Sequence, residues 1–355
     1  MLLRLRSSSR FSASCLSKRM VKSSAPTSRA YHFGTAQYNA AFDNLPNPDT
    51  TTLRRATLEY LNGFNAKTWF SNPICTVLEG TAMDQGEVID TVDAQGAVNG
   101  KQIVADEATF QAVISLMERL SADAEKPEAS KQDYRESIWR VEQKLLSPQY
   151  AAALVGNQAL DFLKQDGITE IEESIMANTV ERRMNAQLLG DEVEKKVLIN
   201  RHPALVACVS NFTNFLDLFR KTIRNVELGV PVVVLSRSNT SQHCFRWFEI
   251  LEKLMKEEGL EGRLVSFASL SLDQQRALFK RFPKSPVYFT GSREVAKALK
   301  EIAPKAISST GGPNTMVNTA FNPKIAEAIR MSACIENSGQ CTALRHVVFG
   351  GVGAV

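Results

Sequence analysis

Short, fully apolar runs alternate with amphipathic segments in the second half of the chain, and this alternation constrains the fold more than any other feature. The apolar runs are ALVACVS (204–210), PVVVL (231–235), RLVSFA (263–268) and PVYFT (286–290). The stretches after them space apolar residues three or four apart, which predicts helices near 214–227, from about 240, near 272–280 and from 292. Apolar strands that alternate with helices predict a doubly wound parallel sheet covered on both faces. Such a sheet binds ligands beyond the carboxyl ends of its strands.

The segment HCFRWFEILEKLMKEEG (243–259) is the clearest of the predicted helices. It places five apolar residues on one face, namely Trp247, Ile250, Leu251, Leu254 and Met255. Gly259 stands where a glycine commonly ends a helix. We therefore expect this helix to cover one side of the sheet and to end near Gly259.

Residues 43–200 are predicted to be mainly helical. Apolar residues recur at helical spacing over 51–64, 107–120, 134–146 and 150–165. Residues 73–80 form a weaker, extended piece, and the polar, proline-containing stretch 121–133 predicts a surface loop. With 355 residues, the chain has the length of about two domains.

The first 42 residues differ in composition from the rest. They contain seven Lys or Arg, many Ser and no Asp or Glu. A basic, Ser-rich and acid-free segment is typical of a mitochondrial or plastid transit peptide. We expect import into the mitochondrial matrix, with cleavage after Tyr31; the alternative is a basic arm that binds nucleic acid or an anionic membrane.

Charge and cysteine usage narrow the class of partner. The chain carries 42 basic and 38 acidic residues, and without the leader 35 basic residues stand against 38 acidic ones, a net charge of −3. A mildly acidic body argues against a nucleic-acid partner. No apolar run is long enough to span a bilayer. The six cysteines show no metal-ligand spacing, so no metal site is predicted, and they are Cys15, Cys75, Cys208, Cys244, Cys334 and Cys341.

Several motifs follow one another in an order that resembles the aldehyde dehydrogenase superfamily. They are VACVSNFTNF (206–215), GVPVVVLSRSNTS (229–241), VYFTGSREVAKAL (287–299) with SSTGGPNTMV (308–317), and NSGQCTAL (337–344). The family shows V-x-x-I-x-P-W-N-F, V-V-L-K-P-S-E, F-T-G-S-x-x-V-G, E-L-G-G-K and G-Q-x-C in this order. The resemblance is close over residues 200–350 and loose over 43–200.

The resemblance implies a cofactor site for NAD or NADP. In the family, the turn that matches Gly291 and Ser292 lies against the dinucleotide diphosphate, and a helix N-terminus favours an anion. The ribose-contacting Lys of the family aligns with Ser236 and its Glu with Asn239, so these contacts are replaced. Arg237 is a candidate for reaching a phosphate. We therefore expect dinucleotide binding that is weak or lost.

Cys341 is the candidate nucleophile. In the similar family, a thiolate at this position attacks an aldehyde and yields a thioester after hydride transfer. This sequence has no residue between Gln340 and the cysteine, where the family has one. Holding the following strand fixed places Cys341 at the nucleophile position, whereas holding Gly-Gln fixed places Thr342 there. The oxyanion-binding Asn of the family falls on Thr213, or on Asn214 after a one-residue shift.

The general base of the family is replaced by Ser309. A hydroxyl is a poor substitute for a carboxylate that must activate water near neutral pH. Family members that pass the acyl group to coenzyme A also lack this Glu, so coenzyme A is an alternative acyl acceptor.

The sequence predicts three parts. Composition indicates a transit peptide at 1–31. The resemblance implies a helical N-terminal segment plus a Rossmann-like cofactor-binding domain at 43–310, and the beginning of a catalytic domain at 311–355. The family continues well beyond its cysteine. The sequence is therefore expected to be either a piece of a longer protein or a degenerate relative, and a homo-oligomer is expected only of a longer chain.

Two functions remain open at this point. The first is NAD(P)-dependent oxidation of a small aldehyde or semialdehyde through a cysteine thioester. The second is a non-catalytic, aldehyde-dehydrogenase-like binding or scaffold protein of the matrix. Glutamate semialdehyde, methylmalonate semialdehyde and aliphatic aldehydes are all substrates of similar enzymes, and the sequence does not choose among them.

Overall fold

The computed structural model describes residues 50–63, 72–126, 134–145, 147–162, 201–208, 218–236, 241–311, 314–318, 323–333 and 344–350. These residues fall into two compact units, and the boundary between Ser309 and Thr310 falls before the last residue of the strand that ends the first unit. The leader at 1–31 lies outside the described residues, so its role stays a prediction.

The first unit consists of the following elements in chain order: α1 (Thr50–Asn62), β1 (Thr76–Leu78), β2 (Thr81–Met83), β3 (Gly86–Val92), β4 (Val98–Ala105), α2 (Glu107–Glu125), α3 (Arg135–Leu145), α4 (Pro148–Phe162), β5 (Ala204–Cys208), α5 (Arg220–Val226), β6 (Val232–Leu235), α6 (Gln242–Glu257), a short 3-10 turn (Gly262–Leu264), β7 (Val265–Ala268), α7 (Leu272–Arg281), β8 (Val287–Gly291), α8 (Arg293–Ile302) and β9 (Ile307–Thr310).

Seven strands form one sheet in the order β2-β1-β7-β6-β5-β8-β9. The pairs β5–β6, β6–β7 and β5–β8 are all parallel. Strands β6 and β7 follow one another on one side of β5. The next strand in the chain, β8, lies on the other side of β5, so the order of strands reverses there. This arrangement confirms the predicted doubly wound parallel sheet. The reversal lies between β5 and β8, and sheets of this kind bind ligands at the carboxyl ends of the strands that flank such a point.

The core lies on both faces of the sheet. On β6, Val232 and Val234 belong to the apolar cluster on one face, and Val233 and Leu235 belong to the cluster on the other. Successive side chains of a strand point to opposite faces, so a strand buried on both sides must be apolar throughout. This is the reason that the runs read from the sequence contain no polar alternation.

Helix α6 covers one of these faces, as predicted. Trp247, which is fully buried, lies with its ring 6.4 Å from the ring of Phe219 in an edge-to-face arrangement. Phe245 packs against Phe267 of β7 with ring centroids 5.0 Å apart. Gly259 follows the helix with a φ of 71°, a backbone conformation that glycine adopts without a Cβ clash.

The N-terminal half departs from the sequence prediction in two places. Residues 86–105 form an antiparallel hairpin of β3 and β4, where mainly helical structure was expected. Val88 and Val98 are exposed while Ile103 and Ala105 are buried, and burial along β4 does not follow the two-residue alternation that predicts a strand. In addition, α2 continues to Glu125, so the predicted surface loop at 121–133 begins too early.

A buried polar cluster joins α4 to the beginning of α6. The Asp161 carboxylate accepts a hydrogen bond from the His243 backbone N–H at 3.0 Å and lies 2.6 Å from Nδ1 of the same histidine. Asn99 of β4 donates its side-chain N–H to the second carboxylate oxygen. Asp161 and His243 are fully buried. These contacts fix the hairpin, α4 and α6 relative to one another.

The second unit is a strand–helix–strand arrangement of β10 (Thr315–Asn318), α9 (Pro323–Ala333) and β11 (His346–Phe349). The two strands pair in parallel, with Thr315 opposite His346 and Asn318 opposite Phe349. Pro323 opens α9, as expected of a residue that needs no intrahelical N–H partner in the first turn.

Candidate functional site

The carboxyl ends of the central strands bring the sequence-predicted residues to one edge of the sheet. Cys208 ends β5 and is the register partner of Thr290 on β8. Ser236 follows β6, and Gly291 ends β8. This edge is where parallel α/β sheets bind ligands.

The β8–α8 turn presents a helix N-terminus at this edge. Ser292 is the N-cap residue of α8, and its Oγ accepts a hydrogen bond from the Val295 backbone N–H at 3.2 Å. The carboxylate of Glu294 accepts hydrogen bonds from its own backbone N–H and from Ser292, and these contacts lower the pKa of Glu294 below its ordinary value. The helix N-terminus thus already attracts one anionic group from its own first turn.

Gly291 is required by internal packing. A Cβ placed on Gly291 would lie 2.4 Å from Cζ and 3.0 Å from Cε1 of Phe289. Phe289 is buried in the core beneath the turn. The ring therefore fills the space that a side chain at position 291 would need.

Ser236 is used within the fold. Its Oγ accepts a hydrogen bond from the Leu270 backbone N–H at 3.0 Å, and its carbonyl accepts one from the Gln275 side chain at 3.0 Å. With an exposed fraction of 3%, Ser236 links the end of β6 to the connection between β7 and α7. The predicted alignment of Ser236 with the ribose-contacting lysine of the similar family stays a prediction.

A lysine that the sequence reasoning missed reaches into the same edge from α5. Lys221 Nζ lies 2.5 Å from Thr290 Oγ1 and 3.4 Å from Ser309 Oγ. Thr290 Oγ1 in turn lies 3.8 Å from Cys208 Sγ. Lys221 is 8% exposed, whereas Ser309 on β9 is exposed. The sequence signal was a lysine whose neighbours in the same helix are buried. Only the strand order shows which strands its side chain contacts.

Five predicted site residues lie outside the described part of the chain. They are Cys341, Thr213, Asn214, Arg237 and Asn239. Their roles as nucleophile, oxyanion donors and cofactor contacts stay predictions. Of the predicted residues that are described, the structure brings Gly291, Ser292, Ser236 and Ser309 to the carboxyl side of the sheet.

Cysteines and acidic residues in the described ranges form no further site. Cys75, Cys208 and Cys244 are buried, and Cys208 and Cys244 are core residues as predicted. Burial raises the pKa of the Cys75 thiol. No group of three or more His, Cys, Asp or Glu side chains within the described ranges is arranged to hold a metal ion. None of the helices described combines the length and apolar character needed to cross a bilayer.

Comparisons with known proteins identify the fold by structure and not by sequence. No protein-family model matches the sequence. No curated protein matches it either. Solved structures do match, including a 1-pyrroline-5-carboxylate dehydrogenase variant from Thermus thermophilus, with a TM-score of 0.60 and 17% identity over 94% of this chain and 64% of that one.

Two further structures agree with this match. The Δ-pyrroline-5-carboxylate dehydrogenase of Mycobacterium tuberculosis, bound with NAD, gives a TM-score of 0.61 and 15% identity over 92% of this chain and 62% of that one. An NADP-dependent enzyme of E. coli gives a TM-score of 0.59 and 18% identity over 81% of this chain and 62% of that one.

The strand order and the similar structures agree on the fold. The reversed parallel sheet, with a helix N-terminus at its carboxyl edge, defines a doubly wound α/β fold. Within that class, the chain has the aldehyde dehydrogenase fold, which confirms the resemblance found in the motifs. The chain spans 62–64% of the length of the pyrroline-5-carboxylate dehydrogenases that it matches.

Proposed function

We propose that this protein is an aldehyde-dehydrogenase-type oxidoreductase that binds NAD and oxidises a small aldehyde or semialdehyde through a thioester at Cys341. The observation that carries the proposal is the β8–α8 turn at the carboxyl edge of a sheet that has the fold of NAD-bound dehydrogenases. NAD, when bound, would accept the hydride of the substrate. NADP is the alternative cofactor, because one structure of similar fold is described as NADP-dependent.

The diphosphate end of the cofactor fits the residues present. Backbone N–H groups of the first turn of α8 and the hydroxyl of Ser292 are donors suited to phosphate oxygens. The Glu294 carboxylate accepts from the same donors, so an incoming diphosphate has to displace it. Ser292 and the α8 N-terminus would hold the diphosphate, and Glu294 would oppose it.

The ribose end fits less well. Ser236 stands where the similar family has its ribose-contacting lysine, and its hydroxyl is buried and bonded to Leu270. We therefore propose that dinucleotide binding is weak, with a dissociation constant in the range from about 0.1 to 1 mM, or roughly 4–5.5 kcal/mol.

The acyl acceptor is the second point at which this chain departs from the family pattern. Ser309 occupies the position of the family's general base, and its hydroxyl contacts the Lys221 ammonium group. A hydroxyl in this position does not draw a proton from water near neutral pH. Coenzyme A, which brings its own thiol, is therefore an alternative to water as the acceptor.

A non-catalytic binding or scaffold protein is the second candidate function. The structural role of the Ser236 hydroxyl and the serine at position 309 favour it, because both replace groups that the chemistry of the family uses. The two candidates differ in whether a dinucleotide binds and whether aldehyde is consumed.

Calorimetry and turnover measurements on the full chain test the proposal. We expect NAD or NADP to bind weakly to the wild type, and Ser292→Asp to abolish binding because a carboxylate then faces the diphosphate. Glu294→Gln is the matched variant and should bind more tightly, since it removes the competing anion. Reduced cofactor should form when a semialdehyde is added, and Cys341→Ser should prevent this.

The outcomes separate the two candidates. Binding without aldehyde-dependent cofactor reduction, with or without coenzyme A, would support the non-catalytic protein. Sub-micromolar binding would contradict the proposed loss of the ribose contact. Absence of binding that Glu294→Gln does not restore would exclude the dinucleotide site itself.

We further propose that the protein resides in the mitochondrial matrix. A fluorescent reporter fused to residues 1–45 should enter mitochondria, because the leader is basic and free of acidic residues. Replacing three leader arginines by Glu should block import, and these are Arg4, Arg6 and Arg10. Diffuse fluorescence of the unmodified fusion would refute the proposal.

A further inference from the structure

Helices α7 and α8, with the connections that follow them, carry a concentration of positive charge that the proposed dehydrogenase does not use. Residues 276–305 contain eight Lys or Arg and two Glu, a net charge of +6. Residues 43–355 as a whole carry −3, so the rest of the body carries −9. All eight basic residues are exposed. We call these eight Lys and Arg residues of 276–305 the basic surface.

About half of the basic surface is not neutralised within the protein. Three of its members pair with carboxylates of α7 or α2, namely Arg276, Arg281 and Lys284. Four members form no ion pair with any residue in the described ranges, and these are Lys280, Lys297, Lys300 and Lys305. Their charges therefore act on whatever approaches from solvent.

The packing of the helices does not explain these lysines. On α8, Arg293, Lys297 and Lys300 stand at i, i+4 and i+7, which places them on one side of the helix. Like charges at this spacing destabilise a helix. Ala296 and Leu299 are the residues through which α8 contacts the core. An anionic partner would relieve the repulsion that the fold alone leaves in place.

We propose that the basic surface docks the protein on a membrane that contains anionic phospholipids. Lys and Arg side chains near such a membrane are attracted by its negative surface potential. Helices α7 and α8 cover the same face of the sheet, because Leu278 of α7 and Leu299 of α8 belong to one apolar cluster. One planar surface can therefore attract the charges of both helices, while the negatively charged remainder of the body disfavours other orientations.

The composition of the basic surface favours a membrane over nucleic acid. Phe279, Phe282 and Phe289 are buried, and Tyr288 packs against the core on the other face. The stretch therefore offers no aromatic ring on which bases could stack. Five of the eight basic residues are Lys, which attracts phosphate as a point charge, whereas Arg is the usual residue for bidentate recognition of bases.

This inference is independent of the proposed dehydrogenase function. It uses neither Cys341 nor the helix N-terminus at Ser292, so membrane docking and aldehyde oxidation can fail separately. The basic leader would also attract anionic lipid, and the experiment therefore cancels its charge. Replacing Arg4, Arg6 and Arg10 by Glu takes the leader from +7 to +1.

Flotation of the full chain with lipid vesicles tests the proposal. The vesicles contain two parts of phosphatidylcholine and one part of phosphatidylglycerol. We expect the chain with the three leader replacements to bind them, to bind more weakly as salt is added, and not to bind vesicles of phosphatidylcholine alone. In this background, Lys297→Gln combined with Lys300→Gln should weaken binding about 30-fold, or roughly fivefold per lysine.

Lys253→Gln combined with Lys256→Gln is the matched control. Both lysines are exposed on α6, which covers the opposite face of the sheet, so the same loss of net charge should leave vesicle binding nearly unchanged. If the pair of changes on α8 prevents folding, Lys280→Gln combined with Lys305→Gln replaces it, with the same expected loss.

Three results would overturn the proposal. Loss of all vesicle binding on replacing the leader arginines would assign the binding to the leader. Equal weakening by the α6 pair and the α8 pair would show a response to net charge alone. Fluorescence anisotropy with a labelled DNA duplex covers the third case, because a duplex that binds more tightly than the vesicles and depends on Lys297 and Lys300 would make nucleic acid the partner.

Discussion

Removing the buried carboxylate of Asp161 should clearly lower the free energy of unfolding. It accepts hydrogen bonds from the Asn99 side chain and the His243 backbone N–H, and it lies 2.6 Å from the His243 ring. Asp161→Ala removes all three contacts inside a fully buried site. Breaking one partner of a buried polar pair costs about 3–5 kcal/mol, because the remaining partner stays out of water.

Asp161→Asn should destabilise the protein less than Asp161→Ala. The amide keeps the shape and one acceptor oxygen but places a donor against another donor, so we expect a loss of about 2 kcal/mol. Asp273→Ala is the matched control, because this aspartate pairs with Arg276 while 91% of its side chain is exposed. An exposed pair of this kind contributes less than about 0.5 kcal/mol.

Urea unfolding followed by tryptophan fluorescence measures these losses. Trp247 lies in the core on α6, four residues after His243, and reports on the packing of that helix. We expect the urea concentration at the unfolding midpoint to be highest for Asp273→Ala, lower for Asp161→Asn and lowest for Asp161→Ala. The dependence of the unfolding free energy on urea concentration should be unchanged. Equal midpoints for Asp161→Ala and Asp273→Ala would refute the view that the buried cluster holds the hairpin, α4 and α6 together.

Two further predictions concern packing and pH. Gly291→Ala should destabilise the protein by about 1–3 kcal/mol, because the new Cβ would lie 2.4 Å from Cζ of Phe289. Adding Phe289→Leu should recover part of this loss, and thermal unfolding measures both changes. Burial and the hydrogen bond to Glu261 raise the pKa of Tyr134 from 10.0 to about 12. A raised pKa gives stability that is present below about pH 10 and lost as the pH rises toward 12, so Tyr134→Phe should flatten the alkaline decline seen in wild type. An identical decline in both proteins would show that Tyr134 does not contribute.

The sequence by itself determined the class of fold. A strand buried on both faces must be apolar at every position, and a covering helix must repeat its apolar residues every three or four positions. These rules act over a few neighbouring residues, so they identified β5–β8, helix α6 with its end at Gly259, and the turn at Gly291 and Ser292. The hairpin of β3 and β4 was not predicted, because burial along β4 does not alternate every second residue and Val88 and Val98 face solvent.

The tertiary structure alone decided which side chains meet. Lys221 and Ser309 are 88 residues apart in the chain, and Asp161 and His243 are 82 apart. No local period encodes such pairs, because their proximity follows from the order β6-β5-β8-β9 and from how each connection crosses the sheet. The same holds for Ser236, whose hydroxyl is committed to Leu270 only because β6 and β7 lie side by side. Strand order is a property of the whole chain. It places Ser309, which the sequence indicated only as the replacement of a general base, beside the buried Lys221.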